Sequence, residues 1–267
     1  MADIRSKLNM LYSLEQLSAG KTTLHRVHPF AKLAVTFVYI LCVVSFGKYE
    51  LTRLAPFLFY PVLVMALAEI PFSMIGKRAA VAMPFCLFAG ISNLIFDRAI
   101  IAHIGMIPIA GGVVSLAMLL GRTILCVSAI LILVALTPFS MLMDQLRRFY
   151  VPELVVTLLE MVYRYIGVLA EEASGMVTAF RLRSNGAKWP SIREFGPFVG
   201  QLLLRSADRA ERVYQAMQCR LYTLRDVKRN RPAWEVRDTI FLIVGCGSSI
   251  LFRCVDITEL LGGMMRW

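Results

Sequence analysis

Charge is scarce in this chain, and acid is scarcer than base. Only 18% of the 267 residues are Asp, Glu, Lys or Arg, below the ~25% usual in soluble domains. Hydrophobic residues make up 58%, and the mean hydropathy is +0.65. This balance excludes a disordered chain, a coiled coil and a collagen-like fibre. It also argues against a soluble globule, because so much apolar sequence needs a cover and lipid is the simplest one. The shortage of acid leaves 29 Lys/Arg against 18 Asp/Glu, a formal charge of +11. A nucleic-acid binder can be as basic, but not with this apolar content. A membrane protein keeps such an excess on its cytoplasmic side.

The signatures of common catalytic and metal sites are also missing. The six cysteines are Cys42, Cys86, Cys126, Cys219, Cys246 and Cys254. The closest two, Cys246 and Cys254, stand eight positions apart, so there is no CxxC. Most lie in apolar runs, where Cys behaves as a small hydrophobe. Neither a disulfide framework nor a zinc site is expected. There is no HExxH and no GxSxG. Gly20-Lys21-Thr22-Thr23 looks like the end of a nucleotide-binding loop, but no glycine precedes Gly20 and the motif needs one five residues earlier. It reads as a polar entry loop. His25 and His28 have no Cys or carboxylate close by in sequence, and Pro29 follows at once. They read as loop histidines near a membrane surface rather than metal ligands. His103 is isolated. Glu171-Glu172 is the only adjacent acidic pair, and neighbours on a helix do not share a face, so it makes a poor acid/base couple. The opening Met-Ala-Asp-Ile-Arg-Ser-Lys is not followed by a short apolar core, so no secretory signal is expected.

What is present is a series of charge-free runs. Leu33–Gly47 and Leu54–Ala68 have 15 uncharged residues each, and Ala79–Phe96 has 18. From Ala99 to Met143 the only formal charge is Arg122, and Pro108 with Gly111-Gly112 leaves one span at about Gly112–Leu136. Residues 239–252 form a last run of 14. The short runs reach the ~20 residues of a bilayer crossing only if flanking Lys and Arg snorkel outward. Arg122 inside a span is costly without a partner. It is expected near an end of its helix or against another helix, with its role open.

Between the fourth and fifth spans the character changes. Residues 138–237 hold 16 Lys/Arg and 10 Asp/Glu. The part from Gly175 to Arg237 supplies +8 of the total, from 13 basic and 5 acidic residues. The basic bias puts this segment and the N-terminus in the cytoplasm. The expected order is a cytoplasmic segment 1–29, four spans over 30–137, cytoplasmic helices over 138–236, and a final span in 237–267. Pro138, Pro152 and Pro190 each precede a helical stretch. The spacing predicts helices over Phe139–Phe149, Glu153–Ser184 (stopping at Asn185-Gly186) and Ser191–Tyr222, with Gly196-Pro197 able to delay the last start to Pro197. Leu154, Leu158, Val162, Tyr165 and Leu169 share a face of the second helix. The third carries Phe198, Leu202, Leu203, Val213, Met217 and Leu221, with Arg205, Arg209 and Arg212 interleaved. Such amphipathic helices can pack on each other, lie on a membrane or dock a partner.

Several short motifs then occur in a telling order: His-Pro-Phe-Ala-Lys-Leu (28–33), Phe-Asp-Arg (96–98), Gly-Arg-Thr (121–123), Thr-Pro (137–138), Leu-Arg-Arg-Phe-Tyr-Val-Pro (146–152) and Tyr-Arg-Tyr (163–165) ahead of Glu171-Glu172. Across nearly the whole chain this order resembles the transmembrane coupling (T) component of energy-coupling-factor ABC importers, nearest to the cobalt-importer form, the CbiQ family. The family carries an Ala-Arg-Gly motif at the end of each of two coupling helices. The first resembles Ala179-Phe-Arg-Leu182-Arg183-Ser184, with Arg183 as its arginine and Arg181 as a rival. The second resembles Ala216-Met-Gln-Cys219-Arg220-Leu221, with Arg220. The flanking alanine and glycine are Leu182 and Ser184 in one, Cys219 and Leu221 in the other, so the charged contact is kept while the close backbone approach of glycine is in doubt.

The resemblance implies an all-α membrane protein with about five spans and a cytoplasmic pair of long coupling helices. It implies a non-catalytic subunit of the bacterial inner membrane that binds no cofactor. Its expected partners are two ABC ATPase subunits, which hydrolyse ATP, and a membrane substrate-binding subunit, with a small accessory membrane subunit as an option. The implied cargo is cobalt, with nickel or a vitamin as the alternative. Two other classes stay open on the residues: a conventional ABC permease, which would carry one coupling motif and form a homodimer, and a membrane enzyme acting on anionic substrates.

Overall fold

The computed structural model describes residues 20–254 apart from 21, 49, 97–99, 105–106, 185–190 and 223–232. The N-terminal segment through residue 19, Asp97 and Arg98 of the Phe-Asp-Arg match, the Asn185-Gly186 stop and the basic stretch 223–232 therefore lie outside the described residues. Within them the elements run α1 (Pro29–Val44), α2 (Leu51–Leu54), a 3-10 turn (Ala55–Leu58), α3 (Phe59–Ala68), α4 (Phe72–Ala80), α5 (Met83–Phe96), β1 (Ile100–Ile104), β2 (Ile107–Ala110) and α6 (Gly111–Leu136). They continue with α7 (Phe139–Leu146), a 3-10 turn (Arg147–Phe149), α8 (Glu153–Arg183), α9 (Ile192–Cys219) and α10 (Val236–Cys254). These fall into two compact units. Among the described residues the first draws on 20–138 and 233–254, the second on 139–222.

Among the described residues, two stretches are long and apolar enough to cross a membrane, Leu51–Ala68 and Gly111–Leu136. A third is added if Phe72–Ala80 and Met83–Ser92, bent by 43°, count as one span. Pro29–Val44 is apolar but shorter, and α10 carries Arg237, Asp238 and Arg253.

The first unit is assembled around a seam on α6. Gly111, Ser115, Met118, Leu125, Ala129, Ile132 and Leu136 are buried at alternating spacings of three and four, and Arg122 occupies the same seam. Small residues there let neighbouring helices approach closely, as packing in lipid requires. Gly245 of α10 does the same against α1, where a Cβ would lie 2.6 Å from Val35 Cγ1. The aromatic core joins Tyr39, Phe46, Phe57, Met118 and Leu125, and the Tyr39 hydroxyl donates to the Phe57 carbonyl in the 3-10 turn at 2.9 Å.

Polar groups tie both ends of α1. Pro29 opens the helix, where a missing N–H costs nothing, and His28 caps it by accepting from the Phe30 N–H at 3.1 Å. Asp238, 1% exposed, accepts from the His28 N–H at 2.8 Å and the Glu235 N–H at 2.9 Å. The Lys32 ammonium, also buried, donates to the Leu136 carbonyl at 2.9 Å and the His25 carbonyl at 3.0 Å. It thereby satisfies the last carbonyl of α6. At the other end of α1, Arg122 donates to the Phe46 carbonyl. Arg253 of α10 reaches Ser45 at 3.3 Å and lies 4.7 Å over the Phe46 ring. Two guanidiniums thus meet the negative end of one helix dipole. Arg122 is held against another helix, one of the two places its sequence context allows.

Two features differ from the sequence reading. The third charge-free run is not one straight span. The helix starts earlier, at Phe72, and breaks at Val81-Ala82, where the N–H groups of Val81 and Ala82 reach back only three residues, to Arg78 and Ala79. Pro84 follows in the first turn of α5 and has no N–H to return to Ala80, so the ladder cannot continue. The stretch ahead of α6 forms an antiparallel pair of strands, with Ile104 opposite Ile107, the one described departure from helix. The start of α9 agrees with the spacing: the helix begins at Ile192 after Ser191, and Gly196-Pro197 does not delay it. Ser191 and Glu194 form a reciprocal capping box that secures the first turn, and Pro197 is tolerated inside the helix.

Candidate functional site

The second unit presents two long helices. Its base is fixed by Arg147, 9% exposed, which pairs with Asp144 at 2.9 Å and Glu160 at 3.1 Å. Phe139 stacks on Tyr163 at 4.0 Å. These contacts seat α7 against α8. At ~1.5 Å per residue the 31 residues of α8 extend roughly 46 Å and the 28 of α9 roughly 42 Å.

The two helices meet through Glu172. Its carboxylate takes Arg205 at 3.4 Å and Arg209 at 3.6 Å. The pair Glu171-Glu172, a poor acid/base couple by sequence, is thus split by role: Glu172 is half-buried between helices while Glu171 is exposed. Around it the half-buried seam of α9 reads Phe198, Leu202, Ser206, Arg209, Val213 and Met217. Leu203 and Leu221, apolar by sequence, point outward at 67% and 83% exposure. The sequence signal for Glu172 as the clamp was the arginine interleaving on α9, which asked for an acid on the facing helix.

The first motif closes α8. Arg183 is its last residue, and the Ser184 N–H caps the end by donating to the Phe180 carbonyl at 2.9 Å. Ala179, Leu182 and Arg183 are exposed; Ser184 is half-buried. Arg181 is half-buried and engaged within the chain. The second motif closes α9. Cys219 is the last helical residue, Arg220 is the cap, and Ala216, Cys219, Arg220 and Leu221 are all exposed.

The second end has a defined geometry. The Leu221 N–H donates to the Gln218 carbonyl at 2.9 Å, the Tyr222 N–H to the Met217 carbonyl at 3.0 Å, and Leu221 sits at φ 51°. This is the paired-hydrogen-bond helix stop that glycine usually serves. Leu221 occupies it in the left-handed region, which costs a side-chain-bearing residue about 1–2 kcal/mol. The glycine that the family motif carries at this position therefore has a local reason, the turn of the chain. The first motif needs no such residue, since Ser184 has φ −93°.

Among the described residues, neither Arg183 nor Arg220 makes a side-chain hydrogen bond or ion pair. No hydrogen bond or ion pair joins the two motifs either. Each presents a guanidinium at the carbonyl end of a long helix, with its fork of donors open to another molecule.

A family model of cobalt transport proteins, CbiQ, matches residues 20–232. The chain is 36% identical over 87 residues to the cobalt transport protein CbiQ of Rhodobacter capsulatus, a match covering 32% of this chain and 35% of that protein. It thus spans about a third of that relative's length. It is 27% identical over 225 residues to an uncharacterized protein of Methanocaldococcus jannaschii, covering 80% and 82% of the two chains. A putative fused cobalt transport protein CbiMQ of Methanocorpusculum labreanum is 24% identical over 226 residues, covering 83% of this chain and 35% of that protein. A match over residues 20–232 takes in both long helices and both arginine motifs, and on it the chain belongs to the CbiQ cobalt transport protein family.

Proposed function

We propose that this chain is the transmembrane coupling subunit of an energy-coupling-factor importer for cobalt ions. It passes the motion of two ABC ATPase subunits to a separate membrane subunit that holds the ion. The observation that carries the reading is the pair of exposed arginines, Arg183 and Arg220, one at the end of each of two long helices joined at Glu172. Two ends suit two copies of an ATPase. A conventional permease would offer one such end per subunit and form a homodimer. Arg183 is preferred over Arg181 because Arg181 is already engaged.

The basic second unit and the N-terminus lie in the cytoplasm, five helices cross the inner membrane, and ATP is hydrolysed by partners, with no cofactor held here. The fused relative supports a membrane partner within one cobalt transport system. Cargo selection belongs to the partner subunit, so nickel or a vitamin is the alternative to cobalt.

The test is co-purification with the ATPase subunits in detergent and coupled uptake in vesicles. Each guanidinium contact with a carboxylate or carbonyl contributes about 1.5–3 kcal/mol, so losing it costs tenfold or more in affinity. Arg183→Glu and Arg220→Glu each abolish uptake and weaken ATPase retention, while Arg181→Glu leaves retention nearer wild type. Unchanged uptake in both reversals refutes the site. A wild-type chain that retains no ATPase refutes the coupling role and favours a membrane enzyme.

A further inference from the structure

A groove of about 410 Å³ runs along the first unit between α3 and α10. Its walls are apolar: Leu63 and Leu67 on α3, Ile240, Phe241 and Val244 on α10, with Phe252 at the far end. Leu67, Ile240 and Val244 are 55%, 57% and 63% exposed, so the groove is open along its side. One residue breaks the pattern. Arg237, in the first turn of α10, lines the groove beside Thr23. Its Nη2 donates to the exposed Glu235 carboxylate at 2.7 Å, while its Nε is buried and has no hydrogen-bond partner among the described residues.

We propose that this groove holds one acyl chain of an anionic glycerophospholipid whose headgroup phosphate accepts from Arg237. Three observations select this occupant. The first is polarity: of the side chains that line the groove Arg237 alone is charged, so an occupant is apolar along its length and meets charge at one end. The second is length: from Arg237 to Phe252 α10 rises roughly 22 Å, enough for one leaflet's ~15 Å of hydrocarbon. The third is charge. A guanidinium has five N–H donors in a fixed fork, and the Glu235 contact uses only Nη2, so donors on the half-exposed fork remain for a phosphate to share with Glu235. A zwitterionic headgroup adds a cation beside an arginine and gains less. The inference rests on the first unit being in the membrane, not on the cargo or the ATPases.

The test is native mass spectrometry of the full chain titrated with phosphatidylglycerol and with phosphatidylcholine of identical acyl chains. Wild type binds phosphatidylglycerol about tenfold more tightly. Arg237→Gln erases that preference but keeps residual binding of both lipids, and Arg237→Lys keeps part of it. Val244→Trp, with Leu67→Trp on the opposite wall as a second filling variant, lowers binding of both lipids. These wall positions are exposed, so a tryptophan fills the groove without entering the core. No preference in wild type, or a preference that survives Arg237→Gln, overturns the headgroup assignment. Unchanged binding in both tryptophan variants overturns the groove. If those variants instead release a membrane partner from the assembled transporter while lipid stoichiometry holds, the occupant is a protein helix and the proposal fails. None of these readouts uses ATPase activity, so failure here is separable from failure of the coupling reading.

Discussion

The two units place their polar and apolar residues in opposite ways. The first turns charge inward: Lys32 is 4% exposed and Asp238 1%, while Phe37, Phe59 and Phe85 are 60%, 61% and 77% exposed. The second keeps almost nothing inside. Of the 31 residues of α8, Val156, Thr157 and Val177 are buried, and α9 has none. A surface of bare aromatics is complete once lipid covers it. A pair of basic helices with Leu154, Leu158 and Val162 also bare is not completed by water, and exposed apolar stripes of this kind serve for docking. The first unit thus suits a cover of lipid, and in the proposed coupling role the second would be covered by partner subunits.

The sharpest way to break this comparison is to truncate equivalent bulk in each unit. Phe57→Ala, at 1% exposure in the aromatic core, costs about 3–5 kcal/mol. Leu203→Ala on α9 stays within about 0.5 kcal/mol. Thermal unfolding in detergent should separate the two by many degrees, and equal losses would mean that the second unit is packed as tightly as the first. Next in size is Asp238→Ala. It strips the acceptor from the His28 and Glu235 N–H groups and leaves Lys32 buried without its nearby acid. Each orphaned buried donor costs about 1–3 kcal/mol. The expected result is a large fall in the unfolding midpoint, and a shift below about one degree would show the cluster to be solvated.

How much of this was legible beforehand depends on range. The charge-free runs located every long apolar helix among the described residues, because a bilayer reads local composition. They missed the break at Val81-Ala82, because the loss of one N–H at Pro84 leaves the apolar count unchanged. They also missed the strand pair, although the β-branched Ile100, Ile101, Ile104, Ile107 and Ile109 were its signal. The cluster of His28, Lys32 and Asp238 could not be read at all, since its members stand 210 positions apart. Arg122 was legible as a buried charge that needs a partner, while Phe46 as that partner was not. In the second unit the ends of both long helices were visible within one to three residues, yet which acid clamps them was not. Nothing in the letters shows that Leu221 would take a left-handed turn.

Two smaller effects sharpen the contrast within the second unit. Leu221→Gly removes the strain at φ 51° and should firm the end of α9 by about 1 kcal/mol. Slower amide exchange at Leu221 and Tyr222 is the readout, and no change would mean that the turn is already relaxed. The smallest effect is acid fraying at the start of α9. Hydrogen bonds from the Ser191 N–H and hydroxyl hold the Glu194 carboxyl below its ordinary pKa. A group depressed in the folded state stabilises fully above its unfolded pKa, and that support is lost as pH falls through the folded value. Helix content at Ile192–Phe195, followed by NMR, should decline at acid pH in wild type. In Glu194→Gln it should be lower at neutral pH and flat, and identical profiles would dismiss the capping box.

Glu172 has a mechanical consequence. One carboxylate faces two guanidiniums, so in the proposed coupling role it would act as a pivot that releases Arg205 while it keeps Arg209. From Glu172 to Arg183 there are eleven residues, an arm of roughly 16 Å at ~1.5 Å per residue, and a swivel of about 10° sweeps its tip by about 3 Å. In that role the exchange of one ion-pair partner at the fulcrum would reach the helix tips as a stroke the length of a hydrogen bond.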